Sequence, residues 1–173
     1  MKKINFGARE MTFVAIFSSV IAIISQISIP MPSAVPLTIQ LFAVALAGYF
    51  LNFREAALSV LIYVLLGVVG IPVFSGFKGG FYVLVGPTGG FIWGFIIVAI
   101  LCSVFSYSVL AIPVGIFSVL VCHALGVVQY MILSNVGFWA SAISVSLPYI
   151  VKDMVLVLLA YAVNLKIKKQ IKI

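Results

Sequence analysis

Apolar residues in this chain do not alternate with polar ones; they form long runs broken by prolines, glycines and a few charges. Runs such as Ala56 to Gly70 and Trp93 to Phe105 are apolar on every side, which fits neither a half-buried strand nor a one-sided amphipathic helix. Helices in lipid satisfy such runs, because lipid accepts apolar surface and requires only that backbone polar groups pair within the segment. Six helices are predicted. The first runs from Ala8 to Ser28 and stops at Ile29-Pro30-Met31-Pro32, where two prolines exclude continuation. The second begins near Leu37, after Val35-Pro36, and ends in a turn at Leu51-Asn52-Phe53-Arg54-Glu55. The third extends from Ala56 to about Gly70, the fourth from Gly90 to Phe105, the fifth from Val109 to Leu133 and the sixth from Pro148 to Leu165. Two connections stand out: the glycine-rich stretch from Ile71 to Gly90, and Phe138 to Ser146, which reads as a segment lying along the membrane interface.

Composition turns this pattern into a fold class. Of 173 residues 65% are hydrophobic and 8% charged, and the mean hydropathy is +1.36, a balance from which a water-solvated surface cannot be built. A crossing helix takes about 20 residues for a hydrocarbon core of about 30 Å, so six crossings use about 120 residues. The expected fold is therefore all-α, a single domain over residues 1–173 forming an integral membrane bundle of six transmembrane helices. A β-barrel would need alternating polarity, which these runs lack.

The formal charge of +7 does not point to nucleic acid, because the basic residues gather at the two ends: Lys2, Lys3 and Arg9, then Lys166, Lys168, Lys169 and Lys172. Basic flanks of this kind mark the cytoplasmic side, so both termini are expected there, which requires an even number of crossings. Membrane lipids with anionic headgroups would meet these lysines. No small-residue cleavage motif follows the first apolar run, so the first helix is expected to stay.

Away from the cytoplasmic side only Lys78, Lys152 and Asp153 carry charge, and all three fall at the predicted outer end of the bundle. An ionisable group at membrane depth is costly and usually faces the protein interior, which makes Asp153 a site candidate. The plainer alternative is an interfacial pair at the positive end of the sixth helix. The glycine-rich stretch is not a Walker loop, since no Gly-Lys-Ser/Thr follows it. Glycine does allow close backbone approach to a small ligand, with Phe74, Phe77, Phe81 and Tyr82 as flat apolar surfaces or, alternatively, as interfacial anchors. His123 is the one histidine, and with no His/Cys/Asp cluster beside it in sequence it reads as a packed, neutral side chain. Gln26, Gln40 and Gln129 are either ligand donors or interhelical hydrogen-bonding groups. Cys102 and Cys122 lie in apolar runs without metal-like spacing. Ala15 and Ser19 form a small-residue face on the first helix that lets another helix approach closely.

Three stretches carry a family resemblance: Ile29-Pro30-Met31-Pro32 with Val35-Pro36-Leu37-Thr38-Ile39-Gln40; Gly70-Ile71-Pro72-Val73-Phe74-Ser75-Gly76 with Gly79-Gly80; and Gly86-Pro87-Thr88-Gly89-Gly90-Phe91. In this order they resemble the biotin-specific S components of energy-coupling-factor transporters. The resemblance implies a multi-pass protein of the cell (inner) membrane that captures biotin on the outer side. It also implies delivery to a coupling subunit and two ATPase subunits, with no catalytic residues and no cofactor in this chain. It implies a pocket drawn from Asp153, Lys152, Lys78, Phe74, Ser75, Gly79, Gly80, Tyr82, Gly86, Thr88 and Gln40, and contact with the coupling subunit through Ala15 and Ser19. One departure stands in the sequence. The family commonly has lysine three residues after the aspartate, and here Leu156 occupies that place while Lys152 stands where glycine is frequent. Lys152 or Lys78 is then expected to meet the biotin tail. Competing readings are an S component for another small vitamin and an intramembrane enzyme using His123.

Overall fold

The computed structural model describes residues 7–171. Lys2, Lys3 and Lys172, counted above among the basic ends, lie outside that range. Eight helices and one short ribbon form among the described residues: α1 (Ala8–Ser25), β1 (Ser28–Ile29), β2 (Leu37–Thr38), α2 (Gln40–Phe50), α3 (Phe53–Val68), α4 (Tyr82–Val85), α5 (Gly89–Val104), α6 (Ala111–Ser134), α7 (Phe138–Val145) and α8 (Leu147–Ile171).

Six of these correspond to the six predicted helices, and two short helices and a strand pair are additions. The first predicted helix ends three residues early and the second starts three residues late. The cause is shared: Ser28 pairs with Thr38 and Ile29 with Leu37 in an antiparallel ribbon, so both segments leave helical geometry to make ladder bonds. Conversely, α3 begins at Phe53 rather than Ala56, because the Glu55 carboxylate folds back to accept from the Asn52 backbone N–H at 3.3 Å and stabilises the first turn. The last helix runs past Leu165. Lys168 and Lys169 in its final turn suit the negative end of a helix, and Lys168 Nζ also donates to the Tyr49 carbonyl at 3.0 Å. The segment expected along the interface is α7, which buries Ser141 and Val145 and leaves Trp139 exposed.

By length and composition α1 and α6 can each cross a membrane, and α7 with α8, bent by 52° at Ser146, could form a third crossing. The apolar helices α2 and α5 are shorter. Fully buried Tyr49, Tyr63, Val44, Val60, Val98, Val119 and Val157 fill the interior. Two glycines set how closely the helices approach. A Cβ on Gly48 of α2 would strike the Ala99 carbonyl of α5, and one on Gly67 of α3 would strike the ring of Phe74.

Candidate functional site

The glycine-rich connection does not hang free. Phe74 and Lys78 exchange both backbone hydrogen bonds, at 2.9 and 3.1 Å, closing a tight hairpin whose turn residues Gly76 and Phe77 both have positive φ. Gln26, just past the end of α1, fastens this hairpin: its amide nitrogen donates to the Val73 carbonyl at 2.9 Å, and its oxygen accepts the Phe77 N–H at 2.9 Å. Because Gly67 has no side chain, the Phe74 ring seats deep against α3, edge-to-face with Tyr63 at 5.5 Å. The hairpin therefore turns Phe74, Ser75 and Lys78 towards one pocket.

The opposite wall comes from α6 and α8. Asp153, 9% exposed, has both carboxylate oxygens engaged: Oδ1 accepts from Lys152 Nζ at 2.5 Å, and Oδ2 pairs with His123 Nε2 at 3.1 Å. Lys152 Nζ also donates to the Thr38 carbonyl in β2. The other ring nitrogen of His123, Nδ1, lies 3.0 Å from Ser146 Oγ at the α7–α8 bend. A buried charge is tolerable when paired and hydrogen-bonded, and this cluster meets both conditions. Tyr149, one turn before Asp153, donates to the Val35 carbonyl at 2.9 Å and pins the connection between the strands to α8. Gln40 donates to the Tyr63 hydroxyl at 2.8 Å. Aromatic and aliphatic groups, Phe91, Phe95, Ile92 and Val145, complete the enclosure.

Of the residues singled out in the sequence, Asp153, Lys152, Lys78, Phe74, Ser75, Thr88 and Gln40 line this one pocket. Gly79, Gly80, Tyr82 and Gly86 do not. Tyr82 opens α4 and is 61% exposed, Gly80 bonds back to the Gly67 carbonyl, and the Gly86 carbonyl accepts from Gln129 at 2.7 Å. These residues shape the connection rather than face its interior. Gly79 packs against the Gly70 and Ile71 carbonyls for the same reason. Ala15 and Ser19 lie on the exposed face of α1 among the described residues, joined by a hydrogen bond from Ser19 Oγ to the Ala15 carbonyl at 2.9 Å. His123 is buried as expected but is not an isolated packing residue, since it is bonded to Asp153. Tyr149 and His123 were missed as pocket residues. Tyr149 carried a usable signal, lying four residues before Asp153 on the same helical face. His123 carried none, because its partner is on another helix.

Two features of the pocket have spare capacity. Ser75 Oγ is buried without a hydrogen-bond partner, and Lys78 has no acidic partner among the described residues. A half-apolar enclosure with one fixed carboxylate, one uncommitted cation and one uncommitted hydroxyl suits a small ligand with both donor and acidic ends. No group of three metal-ligating side chains occurs among the described residues.

The bundle shares its fold with a crystal structure of "the S-component for biotin from an ECF-type ABC transporter", with a TM-score of 0.84 and 23% identity, covering 93% of this chain and 91% of that one. Over residues 1–173 the sequence matches the BioY family, and the chain belongs to that family. Among its relatives, the biotin transporter BioY of Thermotoga maritima is 36% identical over 166 residues, 93% of this chain and 96% of its own length. A probable biotin transporter BioY of Pyrococcus horikoshii is 40% identical over 149 residues, 86% of this chain and 89% of its own.

Proposed function

We propose that this chain is the biotin-binding S component of an energy-coupling-factor importer. The observation that carries the reading is the Lys152–Asp153–His123 cluster standing opposite the Phe74–Lys78 hairpin in one aromatic-walled pocket. Biotin has complementary chemistry: ureido N–H donors for Asp153, an apolar bicycle for Phe74, Phe91 and Phe95, and a carboxylate tail for Lys78 and the Ser75 hydroxyl. Lys152 is committed to Asp153 and to the Thr38 carbonyl, which favours Lys78 over Lys152 for the tail. With Lys78 and Lys152 positive and Asp153 negative, the pocket carries one excess positive charge that an anionic tail neutralises.

In this reading α1, α2, α3, α5, α6 and α8, with the short α2 extended by the segments that flank it, make six crossings of the cell (inner) membrane with both termini cytoplasmic, residues 1–173 act as one substrate-binding domain, and the pocket opens outwards. The exposed Ala15 and Ser19 face meets the coupling subunit of a module that also holds two ATPases. The contact series Ser146–His123–Asp153 superficially matches a hydrolase triad, but the Ser146 hydroxyl is spent on His123 at the α7–α8 bend and the Asp153 carboxylate is shared with Lys152. The relatives are named as transporters, and the chain is not an enzyme.

Equilibrium binding of labelled biotin to the detergent-purified chain tests the reading. Saturable binding, weakened by Asp153→Asn and competed by biotin but not by thiamine or riboflavin, is the expected result. Displacement by another vitamin in preference to biotin would reassign the substrate.

A further inference from the structure

The histidine of α6 does more than fill space. The terminal torsion of an aspartate is broad, so a lone carboxylate samples many orientations, and a ligand N–H that must meet it loses affinity to that freedom. Here the Asp153 carboxylate is held at both oxygens, by its neighbour Lys152 on one side and by His123 from across the bundle on the other. A carboxylate oxygen only accepts, so Nε2 carries the hydrogen and donates it, while Nδ1 is held on the other side by the Ser146 hydroxyl. His123 is itself immobilised, 3% exposed, with Phe91 edge-to-face at 5.5 Å.

We propose that His123 is a positioning residue for ligand recognition: by donating from Nε2 to Asp153 Oδ2 it fixes the carboxylate plane, leaving the remaining lone pairs aimed into the pocket for paired N–H donors of the ligand's cyclic urea. The inference rests on the biotin-binding reading above. The cluster also connects the α7–α8 bend at Ser146 to the strand pair at Thr38, so one carboxylate orientation is referenced to three separate parts of the fold.

The test is a double-mutant cycle on biotin affinity, using His123→Leu, Asp153→Asn and the double variant, each checked for a monodisperse, cooperatively melting sample. His123→Leu is expected to weaken binding about tenfold or more, and the double variant is expected to bind no worse than Asp153→Asn alone, because His123 acts only through Asp153. Losses that add in full, or wild-type affinity in His123→Leu, overturn the proposal. His123→Gln and His123→Asn provide an independent arm should the leucine variant fail to fold. A glutamine amide reaches the place of Nε2, and an asparagine amide only that of Nδ1. Glutamine should bind within about threefold of wild type and asparagine about tenfold more weakly; equal affinities overturn the proposal. Wild-type binding by Asp153→Asn would instead defeat the assignment of the site, an outcome distinct from failure of the histidine's role.

Discussion

The two halves of the bundle treat polar groups differently. Around Tyr49, polar side chains spend their hydrogen bonds on the backbone of other helices and loops: the Tyr49 hydroxyl donates to the Ala111 carbonyl at 3.0 Å, Ser103 to the Leu51 carbonyl at 2.7 Å, and Lys168 to Tyr49 itself while lying 3.9 Å above the Tyr107 ring. Around Asp153, side chains bond to one another and to irregular backbone, and Ser75 and Lys78 are left with capacity unspent. A buried hydroxyl such as that of Ser75 left without a hydrogen bond costs free energy, so a half that keeps it open does so at the expense of stability and in favour of a ligand, while the exposed Lys78 ammonium stays available without that cost. Changes near Tyr49 should therefore move stability, and changes near Asp153 should move affinity.

The largest test of that division is Gly48→Leu. Its side chain would enter the α2–α5 contact at the Ala99 carbonyl, and thermal unfolding in detergent should show a loss of roughly 3 kcal/mol while the remaining folded protein binds biotin as wild type does. Asp153→Asn comes next: biotin affinity should fall about thirtyfold, roughly 2 kcal/mol, by titration of labelled ligand. Lys78→Ala, on the exposed hairpin, should weaken binding about fivefold at low ionic strength and less in high salt, with the melting temperature unchanged. The smallest effect concerns an exception in α8, where Asn164 is 1% exposed and neither of its amide atoms has a partner among the described residues. Asn164→Leu should raise stability by about 1 kcal/mol without changing affinity. A change in affinity from Asn164→Leu would place the residue on the ligand side of the division.

How much of this was legible in the chain depends on range. The long helices were readable because lipid-facing runs are apolar on all sides and Pro30, Pro32 and Pro36 break them sharply. The Ser28–Ile29 and Leu37–Thr38 pairing was not, since two residues carry no period, and neither was the four-residue α4. Charge placement alone brought Lys78, Lys152 and Asp153 to one end. That His123 bonds to an aspartate 30 residues away depends on how α6 packs on α8, which no local pattern encodes. The same holds for Tyr82: its aromatic character suggested the pocket, and the geometry of α4 turns it outwards.

Gln26 gives the hairpin a kinetic character. Its one amide group both donates to Val73 and accepts from Phe77, so lifting Phe74, Ser75 and Lys78 off the pocket requires both bonds to break together. A barrier placed on opening is met by a ligand entering and by a ligand leaving, and it cancels from the equilibrium constant. Replacing Gln26 with alanine should therefore quicken association and dissociation by the same factor in stopped-flow traces, leaving the dissociation constant where it was. The expected effect of this amide is on residence time, how long a captured molecule is held, rather than on how tightly, and a changed dissociation constant in Gln26→Ala would contradict it.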